Sequence, residues 1–390
     1  MPHAELAPVV DVVQRNCDLA DARHAREKSM CTYLLDMREH YRWAVRLPLG
    51  AAPDRARLAE WIARRERSWE ALPVADGAFA PLPIGTGVDP FDDDEANRHL
   101  TAYGWVYGAG IGLFGAPVFF LAERAAEHVR DGARVIVTDR EWARGMAAPP
   151  AVSRRNTIVV RLDALRRWLW TRVEAGSVRA GDTSFAAVLR AYADVDTAAS
   201  VDRMARSEAE TLILHELGEL RAGSLLGEDW ERMIAASPRR TELVLRAVRD
   251  LLADCVVTLP QLLARDAVAS LLFWYATFDG LRRQLAPELV RPFRADPERA
   301  DRTALAAAAR QRGQNGRIVA DDRTILEPLH GRLVARAPDR IAGLAEFHGL
   351  GPRPVPFQER AVIDLAVRLE PAGIAPRLDE GGREEIASLP

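Results

Sequence analysis

The chain has 390 residues, of which 48% are apolar and 28% are charged, and its formal net charge is −3. This length allows one large domain or two to three ordinary ones, and the apolar content allows a sizeable core. Because the charge balance is slightly acidic and the arginines are interleaved with acids, we expect no nucleic-acid partner bound by phosphate neutralisation.

The usage of lysine and cysteine excludes further classes. Lys28 is the only lysine, so there is no G-x-x-x-x-G-K-[ST] phosphate loop and lysine-dependent catalysis is not expected. The three cysteines, Cys17, Cys31 and Cys255, form no C-x-x-C pair and fit a reducing compartment. No signal-peptide pattern opens the sequence, and its longest apolar run, 267–278, is too short to span a bilayer. We therefore expect a soluble cytoplasmic protein with no membrane partner.

The predicted elements change in character along the chain. Residues 1–72 have the apolar spacing of helices, and 73–98 form a loop rich in Pro, Gly and Asp. Residues 101–162 carry the strand signals, which predict a sheet of three to five strands with one helix near 123–130. Helical patterns follow; the predicted helices cover 163–175, 184–195, 201–225, 238–263, 267–284, 303–314, 322–336, 338–347 and 356–369.

These elements predict the fold class and its division into parts. The class is α+β and mostly α-helical, with a small sheet at about 101–162 followed by a helical bundle. We divide the chain into a helical start plus sheet, 1–162, a helical bundle that carries the candidate metal site, 163–370, and a tail, 371–390.

A glycine-rich segment lies within the predicted sheet. Gly110, Gly112 and Gly115 match the G-x-G-x-x-G pattern of dinucleotide-binding loops. The pattern requires a strand before it and a helix after it, yet Pro117 and the apolar run 118–121 indicate a second strand. We therefore predict a β-hairpin across 105–121, with glycines at turn positions of positive φ, and keep dinucleotide binding as an alternative.

The most informative motif is His215-Glu216-Leu217-Gly218-Glu219. A helix brings side chains four residues apart to one face, so His215 and Glu219 can bind one metal ion. The segment resembles the H-E-x-x-H zinc motif with its second histidine replaced, giving H-E-x-x-E. Glu216 then takes the place of the general base. The alternative is that Glu208, Thr211, His215 and Glu219 form the solvent face of an amphipathic helix.

A carboxylate in a second helix supports a shared site. The segment 251–263 is apolar on all sides except at Asp254 and Thr258, so we expect Asp254 to be buried and to need a positively charged partner. Asp254 becomes a third metal ligand if that partner is an ion. The alternatives are a buried pair with an arginine or an ion-pair row formed by Glu242, Arg246, Asp250 and Asp254 at spacing four.

A further set of ligand-type residues occurs near the N-terminus. Asp36, Glu39 and His40 have a spacing at which they could join a dimetal site, although a solvated helix face explains them more simply.

Four functions follow from these patterns. The first is a metal-dependent enzyme with His215, Glu219 and Asp254 as ligands of a divalent ion (Zn, Fe or Mn), with Glu216 as catalytic base and with a small-molecule or peptide substrate, favouring hydrolysis. The others are a non-haem iron or dimetal oxidative enzyme, a non-catalytic helical protein and a dinucleotide-binding protein. The oligomeric state does not follow from these patterns.

Overall fold

The computed structural model describes residues 3–72, 79–178, 183–278, 280–293, 297–314, 324–330, 332–347, 351–354 and 357–363. The protein is mixed α+β and mostly helical, with a curled five-stranded sheet in its N-terminal half followed by a helical region. The fold class predicted from the sequence is confirmed.

The helices before the sheet start at residues that suit helix N-termini. The side chains of Ser29, Asp54 and Asp92 each accept a hydrogen bond from the backbone N–H three positions later. These N–H groups belong to the first turn of a helix and have no partner within the helix. The helices are α1 (His3–His24), α2 (Met30–Ala44), α3 (Arg55–Glu70) and α4 (Asp93–Leu100).

The five-stranded sheet contains both strand directions. Its strands are β1 (Trp105–Ile111), β2 (Pro117–Arg130), β3 (Ala133–Arg144), β4 (Ala151–Arg154) and β5 (Thr157–Arg161). They lie in the order β1-β2-β3-β5-β4, and β3 and β5 are parallel while the other neighbours are antiparallel. The register between β2 and β3 shifts between Leu121 and Ala126, and such bulges bend a sheet.

The glycine-rich segment forms the predicted hairpin. β1 and β2 pair antiparallel from Trp105 opposite Glu123 to Ile111 opposite Pro117. Gly115 adopts a positive φ of 77°, as predicted, but Gly110 and Gly112 do not. The strand–loop–helix unit that a dinucleotide fingerprint requires is therefore not formed here.

The helix predicted near 123–130 is wrong, because β2 continues as a strand to Arg130. Asp131 and Gly132, with φ of 48° and 80°, form the two-residue turn that joins β2 to β3. Asp-Gly is a favoured pair for such hairpin turns, and the pairing with β3 overrides the helix propensity of the segment.

The helical region follows β5 directly. Its elements are α5 (Leu162–Val178), α6 (Thr183–Ala191), α7 (Thr197–Leu226), α8 (Glu228–Ala236), α9 (Arg239–Ala253), α10 (Leu259–Ala264), α11 (Val268–Thr277), α12 (Gly280–Leu285), α13 (Pro287–Val290) and α14 (Arg302–Gln314). Helix α8 was not predicted, and the helix predicted at 267–284 is divided where α11 ends.

Strands return after α14, so the helices predicted at 322–336 and 338–347 are wrong. The strands are β6 (Ile325–Leu329), β7 (Arg332–Arg336), β8 (Leu344–Phe347), β9 (Gly351–Pro354) and β10 (Ala361–Val362). β6, β7 and β10 form one small sheet, and β8 and β9 pair separately. The helix predicted at 356–369 is replaced by β10 where the chain is described, and its remainder and the predicted tail lie outside the described residues.

Helix α7 lies between two apolar cores. Ile213 and Leu217 pack with residues of β5, α5 and α6 in one core, whereas Leu214 packs with residues of α9, α10, α11 and α14 in the other. Some of its polar residues, Glu208, Thr211 and Glu216, are therefore buried among the packed elements. Across the described residues, no helix has both the length and the apolar character needed to cross a membrane.

Candidate metal centre

The long helix α7 places His215 and Glu219 one turn apart. It runs for 30 residues, from an N-terminal cap in which Asp196 accepts the N–H of Ala199 to Gly227 at its end. The alternative that its polar stripe faces solvent is wrong, because Glu208 and Thr211 are buried. The side chains of His215 and Glu219 are 23% and 16% exposed, so the pair is enclosed but still open to solvent.

A glycine allows the partner helix to approach this pair closely. A Cβ atom on Gly218 would lie 2.5 Å from the carbonyl oxygen of Ala253, a distance that real Cβ atoms essentially never show. The backbones of α7 and α9 can therefore meet only because residue 218 has no side chain. This contact brings Asp254, which follows Ala253, next to His215.

The helix that carries Asp254 is locally widened. α9 continues into α10 through Asp254–Thr258, where the N–H of Leu259 donates to the carbonyl of Asp254, five residues earlier. Pro260 has no N–H to donate, and its ring crowds the carbonyl four residues back, which gives a physical reason for a wider turn. Such turns occur frequently at functional sites.

Both ring nitrogens of His215 meet carboxylates. Nδ1 lies 2.8 Å from Oδ1 of Asp254, and Nε2 lies 3.5 Å from Oε1 of Glu219. Asp254 is completely buried, as predicted, and its second oxygen lies 3.5 Å from Nη1 of Arg282. The carboxylate of Asp254 therefore holds the orientation of the ring through Nδ1, while Nε2 faces Glu219.

His215 and Glu219, which approach each other at Nε2, form a cluster of ligand-type atoms with Asp250. One ligand atom from each of His215, Glu219 and Asp250 lies within 4.8 Å of the others, and this is the sole such group in the described parts of the chain. An ion about 2.1 Å from each ligand holds them about 3.4 Å apart. His215 and Glu219 already have this spacing, so binding requires only a small approach by Asp250.

Charges around the cluster shift the pKa values of its members. Burial raises the pKa of Asp250 to about 6, and the negative charge of Glu219 adds to this effect. Burial also opposes ionisation of Glu219, but the hydrogen bond and charge of His215 and the charge of Arg249, 2.7 Å away, lower its pKa to about 2. Glu219 is therefore an anion with Asp250 beside it.

His215 and Asp254 stabilise each other's charge. Burial works against the imidazolium, but Asp254 and then Glu219 outweigh it and raise the pKa of His215 well above its usual value. Burial likewise works against the carboxylate of Asp254, but His215 and Arg282 lower its pKa. Without an ion, the group is a network of charges in close contact.

The structure brings the predicted ligands together but gives them different positions. His215 and Glu219 belong to the cluster, whereas Asp254 lies on the opposite ring nitrogen and Asp250 takes the third place. Glu216 is buried and accepts a hydrogen bond from Ser153 of β4; burial and the charge of Glu219 raise its pKa to about 7.

Asp250 was overlooked as a ligand although a signal was present. It lies four residues before Asp254, and the row of Glu242, Arg246, Asp250 and Asp254 was interpreted as ion pairs. Arg246 and Glu242 do form such a pair, at 2.8 Å. The other half of the row faces His215 and Glu219, and this depends on helix packing that spacing along one helix does not reveal.

The N-terminal set of Asp36, Glu39 and His40 does not join the cluster. Asp36 pairs with Lys28 at 2.5 Å, and Glu39 pairs with Arg38. His40 is completely buried, so its interpretation as part of a solvated face is wrong.

Two cavities lie beside α2 in the described part of the molecule, and no residue of the His215 cluster lines either of them. The candidate metal centre is defined by the positions of its ligand atoms, because a metal ion needs no large cavity.

The fold and the cluster together define a mostly helical α+β protein with a candidate metal centre between two helices. The chain matches the N-terminal domain of a family of unknown function (DUF6866) over residues 8–161 and the C-terminal domain of the same family over residues 166–342. Since these two matches together span most of the chain in the family's order, the protein belongs to that family. No curated protein and no solved structure matches the chain.

Proposed function

We propose that the protein is a metal-dependent enzyme in which His215, Glu219 and Asp250 bind one divalent ion, and that its reaction is a hydrolysis. The observation that carries this proposal is the convergence of one imidazole nitrogen and two carboxylates within 4.8 Å. Three protein ligands are the usual number in catalytic zinc sites, where a further position stays open for water or substrate.

The surroundings of the cluster support this assignment. Metal-binding histidines commonly have a carboxylate on the other ring nitrogen, which fixes the orientation of the ring. Asp254 has that relationship to His215, at 2.8 Å from Nδ1. The side chains of His215 and Glu219 remain partly exposed, so a small molecule or a peptide end can approach them.

The chemistry of the donor set fits a first-row ion. One imidazole with two carboxylates suits Zn, Fe or Mn. A bound ion of this kind supplies a Lewis acid that lowers the pKa of a water molecule. Glu216 stays our predicted general base, because it adjoins His215 in sequence and its carboxyl group is held by Ser153.

The test of metal binding compares two aspartates. The protein is stripped with a chelator and titrated by calorimetry with Zn²⁺, Mn²⁺ and, without oxygen, Fe²⁺. We expect stoichiometric binding of one ion and at least ~10-fold weaker binding for Asp250→Asn. Asp202→Asn is the matched control, because Asp202 is also paired with arginines but lies away from the cluster. Equal binding by the two variants would refute the ligand assignment.

The reaction is tested on the reloaded protein. We expect turnover of chromogenic ester, phosphoester or amide substrates that is lost in Asp250→Asn and retained in Asp202→Asn. Oxygen consumption by the Fe²⁺ form without any hydrolysis would instead support the oxidative alternative.

A second candidate, a non-catalytic protein, rests on the arginines at the site. Arg249 lies 2.7 Å from Glu219 and Arg282 lies 3.5 Å from Asp254, so the carboxylates already have positive partners. In that case no ion binds, and the network acts only in helix packing. A chelator-insensitive melting temperature, together with no heat of metal binding, would favour this second candidate.

A further inference from the structure

A cavity lined by aromatic side chains lies among elements of the N-terminal half. It has a volume of about 220 Å³, opens to solvent, and is lined by residues of α1, α2, α3 and β3 together with Arg46. Trp43, Trp61 and Trp142 supply flat apolar walls. It shares no lining residue with the candidate metal centre.

His40 is an unusual residue at the wall of this cavity. It is completely buried, and neither ring nitrogen has a hydrogen-bond partner among the described residues. Burial, together with the charges of Arg65 and Arg144, holds the pKa of His40 well below its ordinary value. A neutral imidazole offers one donor and one acceptor, and burying both without partners costs free energy. The ring thus has unused hydrogen-bonding capacity at the wall of the cavity, and a small shift of its side chain would present a ring nitrogen to a polar group inside the cavity.

The cavity also carries positive charge. Arg65 uses Nη2 to pair with Asp18, while its buried Nε has no hydrogen-bond partner among the described residues. Arg46 has no carboxylate within ion-pair distance in the described part of the chain, and its guanidinium lies 5.3 Å from the ring centre of Trp142. An anion would therefore find two guanidinium groups beside the tryptophans.

A second cavity, whose lining has four arginines against the two aspartates Asp139 and Asp163, extends the positive region. It has a volume of about 180 Å³ and shares Trp43 and Arg46 with the first. Arg167 lines it and has a buried Nη1 without a partner among the described residues. Arg46 therefore stands where the two cavities meet.

The backbone at Arg46 is strained, which indicates that this arginine has a functional role. α2 ends in a Schellman motif, in which Leu47 N–H donates to Arg42 and Arg46 N–H donates to Trp43. Arg46 occupies the left-handed position of this motif, with φ of 52°, where glycine is the preferred residue. Strained residues of this kind concentrate at binding sites.

We propose that this cavity binds a monocyclic aromatic carboxylate that carries a polar ring substituent. An apolar cavity of about 150 Å³ holds a benzene molecule, so about 220 Å³ accommodates one ring with small substituents. The ring lies against the tryptophans, the carboxylate meets Arg46 and Arg65, and the substituent hydrogen-bonds with His40.

The test uses 3- and 4-hydroxybenzoate as probes. Binding to the full chain is measured by calorimetry and by quenching of tryptophan fluorescence, since three tryptophans line the cavity. We expect saturable binding with one site, and at least ~10-fold weaker binding of the uncharged 4-hydroxybenzamide, because a charge-assisted bidentate contact is lost. No saturable binding, or equal binding of acid and amide, would overturn the proposal.

Arg46→Gly separates a binding role from a structural one. Glycine relieves the strain at this position, so the variant is expected to melt at a higher temperature and yet to bind hydroxybenzoate at least ~10-fold more weakly. Arg155→Gly is the matched control, because Arg155 also has a positive φ, of 51°, but lines neither cavity. The control should gain stability and keep its affinity. Unchanged affinity in Arg46→Gly would contradict the proposal.

Two further variants examine the space itself. Ala44→Leu narrows the cavity without removing a polar group and is expected to abolish binding. His40→Leu removes the buried imidazole. The variant should therefore bind hydroxybenzoate and benzoate with about equal affinity. Retained binding in Ala44→Leu would place the ligand elsewhere and reject this cavity.

Discussion

Asp254 meets Nδ1 of His215 at 2.8 Å across two helices, although the two residues lie 39 positions apart in the sequence. The contact leaves Nε2 directed toward Glu219, which belongs to one cluster with Asp250. A single buried carboxylate thereby decides which nitrogen of His215 is available to an ion. The first prediction follows from this relationship.

Asp254→Asn is expected to weaken metal binding about 10- to 100-fold, because an amide fixes the ring orientation of His215 less well than a carboxylate does. It should also lower stability, since Arg282 and His215 lose the charge of a fully buried partner. Calorimetric titration and the melting temperature of the same sample measure both effects. A large loss of stability with unchanged metal affinity would indicate that Asp254 acts only in packing.

Gly218→Ala is expected to destabilise the protein by about 1–3 kcal/mol, because its Cβ would collide with the carbonyl of Ala253 and push α7 from α9. Metal affinity should fall as well, since His215 and Asp250 lie on the separated helices. Chemical unfolding gives the stability. Gly223→Ala is the control on the same helix, with no atom within 4 Å of the added carbon; it should gain about 0.5–1 kcal/mol. Equal effects of the two changes would argue against the close helix contact.

Asp21→Asn tests a buried carboxyl group that has no part in the metal site. Burial raises the pKa of Asp21 from 3.8 to about 7, while Arg65 and Lys28 oppose the effect and Asp18 adds to it. Between these two pH values the folded state holds more protons than the unfolded state, so wild-type stability falls as pH rises from about 4 to about 7. The asparagine variant lacks this loss and can still accept the N–H of Met146.

The melting temperature of Asp21→Asn relative to that of the wild type should therefore be higher at pH 8 than at pH 5. Asp11→Asn, an exposed change on the same helix, should show no such trend. A difference that does not vary with pH would disprove the titration of Asp21 in this range.

Gly108→Ala tests the packing of the hairpin. Gly108 lies opposite Phe120 across β1 and β2, and an added Cβ would lie 2.1 Å from the Phe120 ring. Because Phe120 is buried in a core cluster, we expect a loss of about 1–3 kcal/mol in the free energy of unfolding. Gly110→Ala in the same strand meets no atom within 4 Å and should have little effect. Similar unfolding curves for both variants would contradict this packing.

The fold class and most helices were predictable from apolar spacing, but β2 and the late strands were not. The segment from Glu123 to Arg130 has residues that favour a helix, and only its pairing with β3 makes it a strand. The Asp131-Gly132 pair was a local signal of the turn. β6 and β7 are strands of only five residues in a small sheet, and a pattern this short cannot be distinguished from a helix turn.

The sequence predicts which helices carry the candidate site, but it does not predict which side-chain atoms meet there. His215 and Glu219 follow from spacing within α7, and burial of Asp254 follows from its apolar helix. The choice between Asp250 and Asp254 depends on which side of the His215 ring each carboxylate meets. Inter-helix rotation sets that choice, and it is fixed by Gly218 and the widened turn rather than by any periodicity.

The widened turn at Asp254–Thr258 makes the length of the chain here as important as its composition. One additional residue corresponds to about 100° of helix rotation. Asp250 precedes this turn and Asp254 begins it, and both face α7, while Leu259 and Leu262 follow the turn and enter the core shared with α14. Deleting one residue from 255–258 would turn one half of the helix by about a quarter revolution against the other. Either the carboxylates would leave His215 or the leucines would leave their core, although no residue with a chemical role had been removed.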